Sequence, residues 1–159
     1  MMWAREHGYT FSEDAVSDIM YMWNGSTSCK RLMLLLSWHP HFVDKAISTI
    51  SYHHSTNSDK YLCAIIEKFW DSEGTRHVIL EHMSTWCKRG YEKSITSLIE
   101  KGVDLSPYIS DIASGPDLDL IKKVMDIYNI SPTSVANILI SPDDREDEEY
   151  LDILKEYSV

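Results

Sequence analysis

Long apolar runs are missing from the sequence: nothing approaches the ~20 residues that span a bilayer, and Leu32–Leu36 is soon followed by Trp38-His39-Pro40. No membrane-spanning helix and no membrane partner are expected. An apolar segment of the kind that makes a signal peptide is also missing from Met1-Met2-Trp3-Ala4-Arg5-Glu6-His7, which reads as cytoplasmic, or nuclear. Cysteine is scarce. Cys29, Cys63 and Cys87 are an odd set with no C-x-x-C spacing, which suits a reducing compartment and argues against a disulfide framework or a zinc finger. Positive charge is in short supply too. Fifteen lysines and arginines face 25 acids, a net charge of −10, so a groove that tracks nucleic-acid phosphates is not expected. The six glycines are scattered singly, which leaves no Gly-rich phosphate loop, and no G-x-S-x-G elbow occurs. Strand signals are absent, since no stretch alternates for more than a few residues.

What the 159 residues do carry is helical periodicity that repeats. Helix starts placed at Ser12, Val43, Thr75, Ser106 and Ser131 are separated by 31, 32, 31 and 25 residues. From the first three starts the same apolar face recurs, as Ala15, Val16, Ile19 and Met20, as Ala46, Ile47, Ile50 and Ser51, and as Val78, Ile79, His82 and Met83. The later copies keep it as Ile109, Ile112 and Ala113, and as Val135, Ile138 and Leu139. Tryptophan marks two registers of its own. Trp23 and Trp86 stand where first helices end, a place His54 takes in the second copy, and Trp38 and Trp70 stand where second helices end. The second helices read Lys30–Trp38, Lys60–Trp70, Glu92–Lys101, Asp117–Tyr128 and Glu148–Tyr157, each amphipathic. Ser106-Pro107 and Ser131-Pro132 pair an N-cap hydroxyl with proline at the first helical position. Gly8, Gly74, Gly90 and Gly102 fall at predicted helix ends or loops.

The expected fold is therefore all-α, a stack of about five helix-loop-helix pairs in a single domain over residues 1–159. Its units are a half repeat at 1–11, repeats at about 12–42, 43–74, 75–105 and 106–130, and a closing repeat at 131–159. From Asp143 to Val159 eight acids meet two bases, so this segment carries −6 of the net charge. A terminal repeat must face water on its outer side, and carboxylates suit the positive N-terminal end of its last helix, so an acidic capping repeat is the reading taken.

These residues resemble the ankyrin-repeat superfamily. Met2-Trp3-Ala4-Arg5-Glu6-His7-Gly8-Tyr9-Thr10-Phe11-Ser12 is similar to the WAREHGC-x-W repeat ending of divergent ankyrin-like arrays in large DNA viruses and some microbial eukaryotes. Leu98-Ile99-Glu100-Lys101-Gly102-Val103-Asp104-Leu105 resembles the common LLEKGADI ending, with Val103 in place of alanine. No copy has the Thr-Pro-Leu-His start. The resemblance implies an ankyrin-like solenoid and, in a viral setting, a host-interaction or adaptor protein.

Chemistry of other kinds finds little footing. His39 and His41 flank Pro40 at a spacing that chelates a metal only if both rings turn inward. His77 and His82 lie about 140° apart on a helical wheel and share no ligand. Cys63 reads as a small buried hydrophobe, and Cys87, beside Lys88 and Arg89, is the candidate reactive thiol. No enzyme activity, cofactor, metal or small-molecule substrate is expected. Surface recognition of a protein partner remains. The loops joining one pair to the next line up along an edge of such a stack, and here they differ: His7-Gly8-Tyr9-Thr10, Trp38-His39-Pro40-His41, Asp71-Ser72-Glu73-Gly74 and Val103-Asp104. The candidate protein-binding residues are Tyr9, His39, His41, Asp71, Glu73 and Asp104, with Trp23 and Trp86 as aromatic anchors if exposed. The alternative reading is a structural component of a larger assembly such as a virion, docked through the open N-terminal end at Trp3.

Overall fold

The computed structural model describes residues 6–8, 10–22, 27–53, 55, 57–131 and 134. Tyr9, Trp23, His54, the first five residues and the acidic closing segment lie outside the described residues. Among those described, the chain is all-helical with no strand. The described residues form nine α-helices, in order α1 (Asp14–Met22), α2 (Ser28–Trp38), α3 (Val43–Tyr52), α4 (Ser58–Phe69), α5 (Glu73–Glu81), α6 (Met83–Lys88), α7 (Glu92–Glu100), α8 (Ile109–Ala113) and α9 (Leu118–Tyr128). Short 3-10 turns, Pro40–Phe42 and Ser106–Tyr108, lead into α3 and α8.

The helices form because one face of each is apolar at helical spacing, and that face is what the structure buries. Val16, Ile19 and Met20 of α1, Ala46, Ile47 and Ile50 of α3, Ile79 of α5 and Ile112 of α8 are all in the core, as the recurring register predicts. Opposite them lie Leu32, Leu35 and Leu36 of α2, Leu62, Ile65 and Ile66 of α4, Ile95 and Leu98 of α7, and Leu120, Ile121 and Val124 of α9. They belong to one continuous cluster. Contacts run in chain order along two lines. Helix α1 packs on α3, α3 on α5 and α6 on α8, while α2 packs on α4 and α4 on α7; α1–α2, α3–α4 and α8–α9 pack as sequential pairs.

Helix ends follow local chemistry. At the close of α7, Gly102 takes a φ of 79°, so its N–H reaches Ile99 O at 2.9 Å and the next N–H, of Val103, reaches Leu98 O at 3.0 Å. This left-handed closure satisfies two orphan carbonyls and favours a residue without Cβ. Gly115 serves a different need, close approach. A Cβ there would lie 2.9 Å from the Cys87 carbonyl oxygen.

Three local expectations change. The first helix of the third pair is not continuous: at His82 (φ −101°, ψ 2°) the N–H bonds Ile79 O, an i−3 closure that parts α5 from α6. Glu73 and Gly74 are not loop residues but sit in the first turn of α5. Ser106 is not a helix cap. Its N–H and hydroxyl both donate to the Asp104 carboxylate, at 2.9 and 2.8 Å, so Asp104 orders the turn that precedes α8. The Ser134 N–H donates to the Ser131 hydroxyl at 3.2 Å, while the helix that Ser131 is expected to cap lies outside the described residues.

Candidate functional site

An open groove of about 640 Å³ lies between α5 and the segment that follows α7. One wall comes from Trp70, at the end of α4, and from Glu73, Arg76, His77 and Leu80 of α5. These four α5 positions are spaced i, i+3, i+4 and i+7, so they share one stripe of the helix. That stripe is turned away from the core-facing Thr75 and Ile79. The other wall is Val103, Asp104, Pro107 and Tyr108.

The second wall is held from behind. Leu105 is fully buried, and its N–H donates to the Tyr128 hydroxyl of α9 at 2.7 Å. That hydroxyl leans toward Val103 O at 3.5 Å, so one side chain fixes both flanks of Asp104. Two hydrogen bonds from Ser106, first from its N–H and then from its hydroxyl, hold the exposed Asp104 carboxyl below the usual carboxylate range. It stays ionised at neutral pH. On the first wall Leu80 is 41% exposed. His77 Nε2 lies 3.1 Å from Glu81 Oε1 along the same helix. Glu73, Asp104 and Arg76 form no ion pair among the described residues.

The structure thus brings together two of the residues expected on the loop edge, Glu73 and Asp104. Asp71 is exposed nearby but does not line the groove. His39 and His41 sit apart, within an aromatic cluster: His39 stacks on Phe42 at 5.1 Å between ring centroids, with His41 edge-on at 5.7 Å and Phe11 at 6.1 Å. Among the described residues no group of three histidine, cysteine, aspartate or glutamate side chains could hold a metal. Trp86 is not an exposed anchor. It is 0% exposed, and its indole N–H donates to Ser51 Oγ at 3.1 Å across α6 and α3, while Trp23 lies outside the described residues.

The candidate thiol is corrected as well. Cys87 is buried, and burial, aided by the Asp111 charge, pushes it up to about 12 despite Lys88 and Arg89 next to it in sequence. Cys29 and Cys63 are half-buried and also raised, by burial first. None carries the thiolate that nucleophilic chemistry needs.

Trp70, Arg76, His77, Leu80, Val103, Pro107 and Tyr108 complete the groove without having been singled out as binding residues. A signal existed for α5, because Glu73-Arg76-His77-Leu80 is a helical stripe in its own right. The stronger core stripe through Thr75 and Ile79 masks it.

Among the described residues no helix is long and apolar enough to cross a membrane. No protein-family model matches the chain, and comparisons with curated proteins and with solved structures find no match.

Proposed function

We propose that the chain is a non-catalytic protein-interaction module, an ankyrin-like stack of helix-loop-helix units that holds a protein partner in the groove between its third and fourth units. The groove carries this reading. It joins a helix start, through Glu73, and a loop, through Asp104, to half-buried aromatics and an exposed Leu80, the mixture of apolar anchor and polar rim that interfaces use. The stack is supported by the in-order packing of first helices on first helices and second helices on second helices. A host-interaction or adaptor role in the cytoplasm, with the chain of viral origin, follows from the sequence resemblance.

The test is affinity capture from host-cell lysate with mass spectrometry, comparing the parent chain with a Glu73→Lys, Leu80→Ser variant shown by circular dichroism to keep its helicity. The expected result is a partner retained by the parent and lost by the variant. Identical captured sets would remove the groove as the binding surface.

A further inference from the structure

We infer that this groove receives a basic side chain, lysine or arginine, presented by an extended segment of the partner protein. The inference rests on the interaction reading above and adds the chemistry of what is bound. Carboxylates stand on both walls, Glu73 in the first turn of α5 and Asp104 on the facing loop, with no ion pair to either among the described residues. The Asp104 carboxylate is fixed in place by Ser106, which donates to both of its oxygens. It is preorganised to accept a cation without losing side-chain freedom on binding.

Trp70 and Tyr108 line the same groove, both half-buried. The face of an aromatic ring is electrostatically negative; it attracts an ammonium or guanidinium group within about 6 Å of its centroid and disfavours a carboxylate. Leu80 and Val103 add apolar surface of the sort that the methylene stem of lysine or arginine covers while its charged head reaches the rim.

The opposing charge is Arg76. His77 is engaged with Glu81, so Glu73, Asp104 and Arg76 are left, two negatives against one positive, on a chain whose net charge is −10. An acidic segment entering here meets two carboxylates in exchange for one guanidinium. A basic segment meets the reverse, and long-range attraction steers it inward.

The experiment uses the full chain, isotope-labelled, with the indole N–H resonance of Trp70 assigned through Trp70→Phe. The probes are capped pentapeptides, acetyl-Gly-Leu-X-Leu-Gly-amide, in which X is lysine, arginine, norleucine or glutamate. The lysine and arginine peptides are expected to shift the Trp70 resonance and to bind at least roughly tenfold more tightly than the other two, as for a charge-assisted contact. That preference should fade between about 0.1 M and 1 M salt, where screening shortens from about 10 Å to 3 Å. Glu73→Gln with Asp104→Asn keeps an oxygen acceptor for the Ser106 N–H and removes both charges; it should abolish the preference. Arg76→Gln should strengthen binding of the basic peptides.

Preference for the glutamate peptide, lost in Arg76→Gln, would overturn the inference and leave an interaction groove of opposite sign. Equal binding of norleucine and lysine would overturn it in favour of a purely apolar site. No response of Trp70 to any peptide would also overturn it, while the fate of the interaction reading is decided separately by the capture experiment.

Discussion

The helices that close the expected pairs, α2, α4, α7 and α9, run nine to twelve residues without interruption, whereas among those expected to open a pair α5 and α6 part at His82 and α8 is five residues long. The two lines of helices also differ in how their members are joined. Every successive contact in the closing line carries a polar tie. Ser28 and Tyr61 hydroxyls share a hydrogen bond of 2.6 Å and Lys68 reaches Ser37 between α2 and α4. Between α4 and α7 Asp59 accepts from the N–H groups of Lys93 and Ser94, at 3.1 and 2.9 Å, and Ser97 donates to Glu67. Lys123 Nζ donates to Thr96 at 2.9 Å between α7 and α9. The opening line carries fewer such ties and relies more on packing: Trp86 to Ser51, Arg89 to the Ile50 carbonyl, and the ion pair of Lys88 with Asp111 at 3.3 Å between α6 and α8. A regular, hydrogen-bonded line sets spacing and register; a line held by side-chain volume tolerates breaks, and beside those breaks the groove opens.

Trp86→Ala should break the opening line most severely, removing the largest fully buried side chain together with its bond to Ser51 and costing about 3–5 kcal/mol in urea unfolding. Gly115→Ala should follow, at about 1–3 kcal/mol, because the new Cβ meets the backbone carbonyl of Cys87 and neither chain segment can step aside cheaply. In the closing line Asp59→Ala strips the N-terminal amides of α7 of their acceptor and should cost about 1–2 kcal/mol, with Asp59→Asn milder. Cys87 gives a pH test of burial in the opening line. Its folded value lies above that of the unfolded thiol, so stability is intact below pH 9.0 and falls as pH rises toward about 12. Unfolding measured at pH 8 and about pH 10.5 should show a drop that Cys87→Ala reduces. The smallest effect belongs to the groove: Leu80→Ser should alter stability by no more than about 0.5 kcal/mol.

The same asymmetry decides what could be read from sequence. The closing helices were legible to within two residues at each end because continuous amphipathic stripes such as Leu62-Ile65-Ile66 sustain a single period over their whole length. The break at His82 was not, since Val78-Ile79-His82-Met83 keeps helical spacing straight through it, and a switch from i−4 to i−3 bonding leaves no mark in hydropathy. Asp104 was legible as a loop residue, whereas Glu73, expected in a loop, is helical; their meeting across one groove depends on how the loop after α7 packs. Asp104 shows why side chains in turns resist sequence reading. Both Asp104 and Ser106 suit a capping role, and only the fold decides which accepts and which donates.

The Tyr128 hydroxyl ties the Leu105 amide, a loop group, to the last turn of α9. That amide belongs to no helix, yet it can exchange its hydrogen with solvent only when α9 draws back. Its exchange rate should therefore follow the undocking of α9 rather than the fraying of its own loop. One wall of the groove then keeps its shape only as long as α9 stays seated, and any molecule that fills the groove would clamp a helix it never touches.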